Sequence, residues 1–381
     1  MLHFLNYSNF DAETNLSVMK IKNILSILEE MAPLAYAEDF DNVGLLAGNA
    51  NDEATGILVC HDALESVIDE AIIKKCNVVV CFHPILFSGL KKITGKNYVE
   101  RAVIKAIKND IAIYAVHTAL DNHQQGVNKI FCDALRLTNT KVLIAKENYI
   151  RKLVTFTTPE NLEKLRTALF DAGAGNIGNY ENCSFSSQGL GTYQGNENSN
   201  PAIGSQGEFV EANEIKIEIT FEKHLEGKIL KALFSNHVYE EVAYEIYNLN
   251  NVHQNIGLGM TGEFEVPMDE KDFLLFVKEK MQANGIRHSA FGGKQIKKVA
   301  VLGGSGSFAI KNAIAAGADA FLTADLKYHQ FYEAEGKLLL ADIGHFESER
   351  YTQNYIADYL SKHVDIKVLI TEVDTNPVKY L

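Results

Sequence analysis

Four places in the sequence put a histidine or a carboxylate just after an apolar, β-rich run. His83 follows NVVVC, and His117 with Asp121 follows IAIYA in VHTALDN. Asp325 with His329 follows AFLT in TADLKYH, and His345 with Glu349 follows LLLAD in GHFESE. In open α/β sheets, ligands bind beyond the carboxyl ends of strands, so these are the places where chemistry is expected. Three of the four are i, i+4 pairs, which on a helix share one face with Cβ atoms about 5–6 Å apart. That separation suits two donors on one metal, or one donor on each of two adjacent metals. Imidazole mixed with carboxylate favours Zn, Fe, Mn, Ni or Co over the all-oxygen preference of Ca or Mg. In a dinuclear centre, with cations about 3.5–4 Å apart, Asp121 and Glu349 would partly neutralise two dications while His83 and His345 supply nitrogen.

Each position alone also has an ordinary reading. A histidine after a strand is often a loop or capping residue, His117 could merely orient a turn, and Asp121 could cap a helix starting near Gly126. An H-x-x-x-E such as His345 and Glu349 is common on solvated helix faces. What argues for a shared site is the recurrence at four strand ends. A separate feature is GGSGS at 303–307, between a strand and a helix. The backbone N–H groups of Gly303, Gly304, Ser305 and Gly306 could cradle an anion there. The stretch lacks the following Lys-Ser/Thr of a Walker loop, and a tight turn needing glycine dihedrals is the alternative.

The elements that must position these residues fall into three segments after an N-terminal extension, 1–18. From 19 to 147, GILVC, NVVVC and IAIYAV alternate with amphipathic stretches at 63–75 and 98–109. Continuous apolar strands alternating with helices predict a parallel sheet covered on both faces. From 148 to 252 the order is strand, helix, two strands, helix, strand, with a Gly/Asn/Ser-rich excursion at about 173–207 expected to be flexible. This is the grammar of an inserted ferredoxin-like α+β unit. From 253 to 381 α/β grammar returns with KKVAVLGG, DAFLTAD, KLLLADIG, a helix over about 346–362, and IKVLITEV. GILVCHDALESVIDEAIIKKCNVVVCFHP and KVAVLGGSGSFAIKNAIAAGADAFLTADLKYH share one pattern, which predicts two similar α/β halves.

Composition bounds the function. The chain has 381 residues, a formal net charge of −13 and no block of Lys or Arg, which argues against nucleic acid and anionic membranes as partners. No apolar stretch approaches the roughly 20 residues of a membrane span, and no signal peptide is evident, so a cytoplasmic location is expected. Cys60, Cys76, Cys81, Cys132 and Cys183 have no C-x-x-C spacing and read as reduced packing residues.

With these residues in place, the chain resembles the Nif-three-like dinuclear metal-centre hexameric proteins, which include GTP cyclohydrolase I type 2 homologues. The resemblance is carried by DFDNVGL at 39–45, HPILF at 83–87, HTALD at 117–121, GGSGS at 303–307, TADLKYH at 323–329 and GHFESE at 344–349. It implies two α/β halves forming one metal-binding unit, with the middle segment resembling the PII-like domain of longer members. It also implies a toroidal homohexamer, with two divalent transition metals per chain, zinc, iron or manganese foremost. His83, Asp121, His345 and Glu349 match the family's metal-binding positions, Glu349 in the bridging place. Many members have two histidines before the proline; here the first is Phe82, so the second metal is expected to be held more weakly unless His117, His329 or water compensates. The implied activity is metal-dependent hydrolysis of a small molecule of nucleotide or phosphoester type, with His117 or His329 as proton carrier. The alternative is a regulatory or scaffold protein whose middle segment senses a small molecule or gates a cavity.

Overall fold

The computed structural model describes residues 19–381, so the expected extension at 1–18 lies outside the described residues. The chain is a mixed α/β protein whose described strands form sheets of five, six and four strands. It divides into two compact units: residues up to Leu120 together with Tyr351–Lys379, and Asp121–Arg350 together with Tyr380–Leu381.

The first unit is built on the strands Gly44–Ala47, Ala112–Ala115, Val78–His83, Ile57–Asp62 and Val368–Ile370, in that spatial order. The last four are parallel and Gly44–Ala47 is an antiparallel edge. The apolar runs VVVCF and AIYA are buried along their whole length, as strands covered on both faces must be. Helices Glu65–Ile73 and Tyr98–Lys108 make the crossovers where the periodicity predicts them. Leu58, Val79 and Ile113 from the strands pack with Val67, Ile68 and Ala106 from these helices, and Cys60, Cys76 and Cys81 fill the same core as free thiols.

In the second unit a six-stranded sheet runs in the order Arg287–His288, Leu339–Asp342, Ala320–Ala324, Gln295–Ser305, His253–Asp269 and Thr138–Lys146. Here too a short antiparallel edge strand is followed by three parallel strands taken in reverse chain order. The Thr138–Lys146 strand, just before the segment boundary at 147 read from the sequence, pairs with His253–Asp269. Residues 150–249 form the four-stranded antiparallel sheet Phe185–Gln194, Phe209–Glu222, Ile150–Thr157, Tyr244–Leu249. Numbered along the chain its order is 2-3-1-4, the arrangement of a βαββαβ unit. Its helices Leu162–Asp171 and Glu226–Asn236 bury Leu165, Leu169, Ile229 and Leu233 against Leu153, Ile217 and Ile219.

Two expectations change, and one long strand carries no signal in the sequence. Part of the stretch expected to be a flexible excursion is the ten-residue strand Phe185–Gln194, paired throughout with Phe209–Glu222; an edge strand with few buried side chains does not need an apolar pattern. The 17-residue strand His253–Asp269 is not legible in HQNIGLGMTGEFEVPMD because glycines interrupt it. At Gly257 a Cβ would run into the carbonyl oxygen of Ile144. The single helix expected over 346–362 is two, His345–Glu349 and Thr352–Ser361. No helix among the described residues is long and apolar enough to cross a membrane.

Leu58 is fully buried in a central strand. Leu58→Ala is expected to destabilise the first unit by about 2–5 kcal/mol, read as a lower urea midpoint; an unchanged midpoint would contradict this packing.

Candidate metal centre

The parallel strands of the first unit end in histidine and aspartate. Ile57–Asp62 and Val78–His83 are in register, Cys60 opposite Cys81 and Asp62 opposite His83. That register places the Asp62 carboxylate 2.9 Å from His83 Nδ1. The Thr375 hydroxyl donates to the other Asp62 oxygen at 3.0 Å. Burial works against the Asp62 charge, but the bond from His83 and the hydroxyl of Thr375 hold its carboxyl below the usual range.

The next strand leads into the short helix His117–Asp121, so these two residues share a turn as the i, i+4 spacing requires. Its first residue has φ +25°, a conformation that costs a β-carbon-bearing residue free energy. Asp41, from the loop before Gly44–Ala47, holds this turn: Oδ1 lies 2.8 Å from His117 Nδ1, and Oδ2 accepts the Thr118 N–H at 3.1 Å and the Thr118 hydroxyl at 2.5 Å. Although burial opposes its charge, these bonds lower Asp41 to about 2. Asp121 does not cap the helix Val127–Ala134, whose first position is Gly126 without a side-chain cap; its carbonyl instead accepts from the Asn128 amide.

In the second unit His345 and Glu349 form the helix the spacing predicts, with Nε2 and Oε2 3.4 Å apart. His345 Nδ1 lies 2.7 Å from Asp325 Oδ2, which also accepts from the Ser305 hydroxyl. The bond from His345 is the main cause that keeps Asp325 below the usual carboxylate range, against burial, with Ser305 adding to it. Asp342 positions both partners: it accepts the Leu326 N–H at 2.9 Å and the Gly344 N–H at 3.1 Å. The structure therefore pairs Asp325 with His345 rather than with His329. Asp325 has φ +58° and precedes a 3₁₀ turn, Tyr328–Ala334, so 325 and 329 share no α-helical face. His329 is exposed, with its ring against Tyr328 and Tyr332.

The glycines of GGSGS serve this helix. The Gly303 N–H donates to Asn128 Oδ1 at 3.1 Å and the Gly304 N–H to Ser348 Oγ at 2.8 Å, so both are committed within the protein rather than turned to an anion. A Cβ on Gly304 would lie 2.5 Å from Glu349 Oε1 and 3.4 Å from the His345 ring, and one on Gly303 3.3 Å from Glu349 Cγ. Only glycine lets the strand approach these side chains so closely.

Three strand-end histidines thus share one arrangement: a carboxylate lies on Nδ1, so that Nε2 is the nitrogen that would meet a ligand if one binds. This is how metal-binding histidines are oriented. The donors fit a divalent transition metal. Glu349 is only 4% exposed, yet it shares its surroundings with the Asp325 carboxylate, which raises the need for a cation. One donor has no signal in the spacing: His61, one residue before Asp62 and 2% exposed, brings a ring nitrogen within 4.8 Å of one on His83.

Residues 19–377 match the Duf34/NIF3 (NGG1p interacting factor 3) family. The chain belongs to this family. Within the Duf34/NIF3 proteins it is 37% identical over 366 residues to the GTP cyclohydrolase 1 type 2 homolog of Bacillus subtilis, covering 94% of this chain and 98% of that one. It is also 37% identical over 376 residues to the homolog of the same name from Halalkalibacterium halodurans, covering 95% and 100%. Among solved structures, a Bacillus cereus protein related to NIF3 superimposes with a TM-score of 0.84 at 35% identity, over 96% of this chain and all of that one.

The Asp41 bonds carry a pH signature. Because its folded pKa of about 2 lies below the unfolded value of about 3.9, its stabilisation is complete above that unfolded value and is lost as pH falls toward 2. Urea unfolding should show Asp41→Asn less stable than wild type at pH 7, with the gap narrowing below about pH 4. A gap independent of pH would contradict the assignment.

Proposed function

We propose that the protein binds divalent transition metal, two ions per chain, and uses it to hydrolyse a small molecule of nucleotide or phosphoester type. The observation that carries this reading is the recurrent pairing of a strand-end histidine with a carboxylate on Nδ1, at His83, His117 and His345. His83, Asp121, His345 and Glu349 are the proposed protein ligands, Glu349 bridging. Bound dications would lower the pKa of water and polarise the substrate, the chemistry expected of such centres. His117 is the better-supported proton carrier: Asp41 holds its Nδ1 and so its orientation, whereas His329 stands exposed among tyrosines. The name that these relatives carry, GTP cyclohydrolase 1 type 2 homolog, supports a nucleotide as the first substrate to test. The net charge of −13 supports a small-molecule partner rather than nucleic acid.

The same reading takes the repeated edge-plus-three-parallel-strand pattern as two similar halves, and the unit at 150–249 as an inserted PII-like domain. It includes a homohexameric toroid, for which light scattering should return six times the 42.3 kDa chain mass; a monomer or dimer would refute that part.

A second reading, a regulatory protein sensing a small molecule through the middle segment, is favoured by a cavity of about 720 Å³ there, lined by Phe156, Tyr193, Glu214 and Tyr239. A size of this order suits a small organic ligand.

Purified protein is expected to carry transition metal by elemental analysis, and His345→Ala and Glu349→Ala to lose it with far-UV circular dichroism unchanged. Retained metal in both variants would exclude these ligands. Turnover of a nucleotide and phosphoester panel by the metal-loaded protein, abolished by Asp121→Ala, is the expected result. Absence of turnover across the panel would favour the regulatory reading.

A further inference from the structure

The tip of Val78–His83 carries Phe82 where a second imidazole would complete a histidine pair. Phe82 is fully buried, and its ring centroid lies 5.0 Å from that of His83, 5.3 Å from His61 and 5.6 Å from His117. A phenyl ring among three imidazoles offers no lone pair, so it can only wall the cluster. His61 is different. The parallel register, Cys60 with Cys81 and Asp62 with His83, sets His61 level with Phe82 on the neighbouring strand. Its ring meets that of His83 edge-on at 4.8 Å, with ring nitrogens within 4.8 Å of one another. Two imidazole nitrogens at that separation are within reach of one cation, since two Zn–N bonds of about 2.0–2.1 Å span up to about 4.2 Å and a small side-chain rotation closes the remainder.

We infer that His61 is a metal ligand, moved one strand sideways to take the place of the imidazole that Phe82 lacks. Two neighbouring strand ends, each carrying one histidine, supply the nitrogen pair that two consecutive histidines would otherwise supply from a single strand. Asp62 and His61 then have complementary jobs: Asp62 orients the His83 ring from Nδ1, and His61 supplies the adjoining nitrogen. The plain alternative is that His61 is a core histidine packed on Phe82; it predicts loss of stability without loss of metal.

This inference rests on the metal-binding reading, and the test separates the two. Metal per chain is measured, and the cobalt(II)-loaded protein is followed by its visible ligand-field spectrum, for wild type, His61→Ala, His61→Gln, Phe82→His and His61→Ala combined with Phe82→His. His345→Ala and Glu349→Ala serve as controls. Both His61 variants are expected to lose one of the two ions and change the cobalt spectrum; the glutamine variant, closest in size and polarity, covers the case in which alanine fails to fold. Phe82→His alone is expected to leave metal content unchanged, and added to His61→Ala to restore the lost ion. Loss of metal in the controls with full metal and an unchanged spectrum in both His61 variants would overturn the role of His61 alone. Wild-type protein that binds no cobalt would overturn the metal-binding reading with it.

Discussion

A histidine ring has a defined orientation only when one of its nitrogens is held, and a carboxylate holds Nδ1 at His83, His117 and His345. Asp62, Asp41 and Asp325 reach His83, His117 and His345 from a neighbouring strand, a preceding loop and a neighbouring strand end respectively. Much of the local architecture follows from that requirement. The in-register pairing of Ile57–Asp62 with Val78–His83 sets the first bond, Asp41 ties down the +25° turn at His117, and Asp342 holds the backbone beside both Asp325 and His345. The hydrogen bonds from these histidines help hold all three carboxyls below the usual range, although Asp325 is exposed and Asp62 only half-buried.

Close backbone approach is the second constraint. Gly303 and Gly304 let the Gln295–Ser305 strand run against the His345–Glu349 helix, and their N–H groups fasten it through Ser348 and Asn128. The glycine-rich stretch therefore shapes the surroundings of Glu349. A side chain at 304 would displace the carboxylate and would also have to adopt φ +69°.

The sheets and crossovers of the first unit are legible because a strand buried on both faces must be a continuous apolar run, as VVVCF and AIYA are. The strand His253–Asp269 is not, because three glycines and exposed polar residues give it neither an apolar run nor strict alternation. Among the candidate residues, the helical turns that join His117 to Asp121 and His345 to Glu349 are legible from i, i+4 spacing alone. Asp325 with His329 was misleading for the same reason: i, i+4 spacing says nothing unless a helix forms there. The carboxylates Asp41 and Asp62 leave no mark in the sequence as partners, since each meets its histidine through tertiary pairing, across 76 and 21 residues. His61 is hidden in the same way, because its nearness to His83 follows from strand register and not from spacing.

The central claim is that carboxylate-oriented histidines present Nε2 to metal. Anomalous diffraction at the absorption edge of the loaded metal, from crystals of the full-length protein, tests it most directly. The account predicts peaks about 2.0–2.1 Å from Nε2 of His83 and of His345, with Nδ1 of each still bonded to Asp62 and Asp325. Metal bound through Nδ1, or peaks remote from both rings, would contradict it.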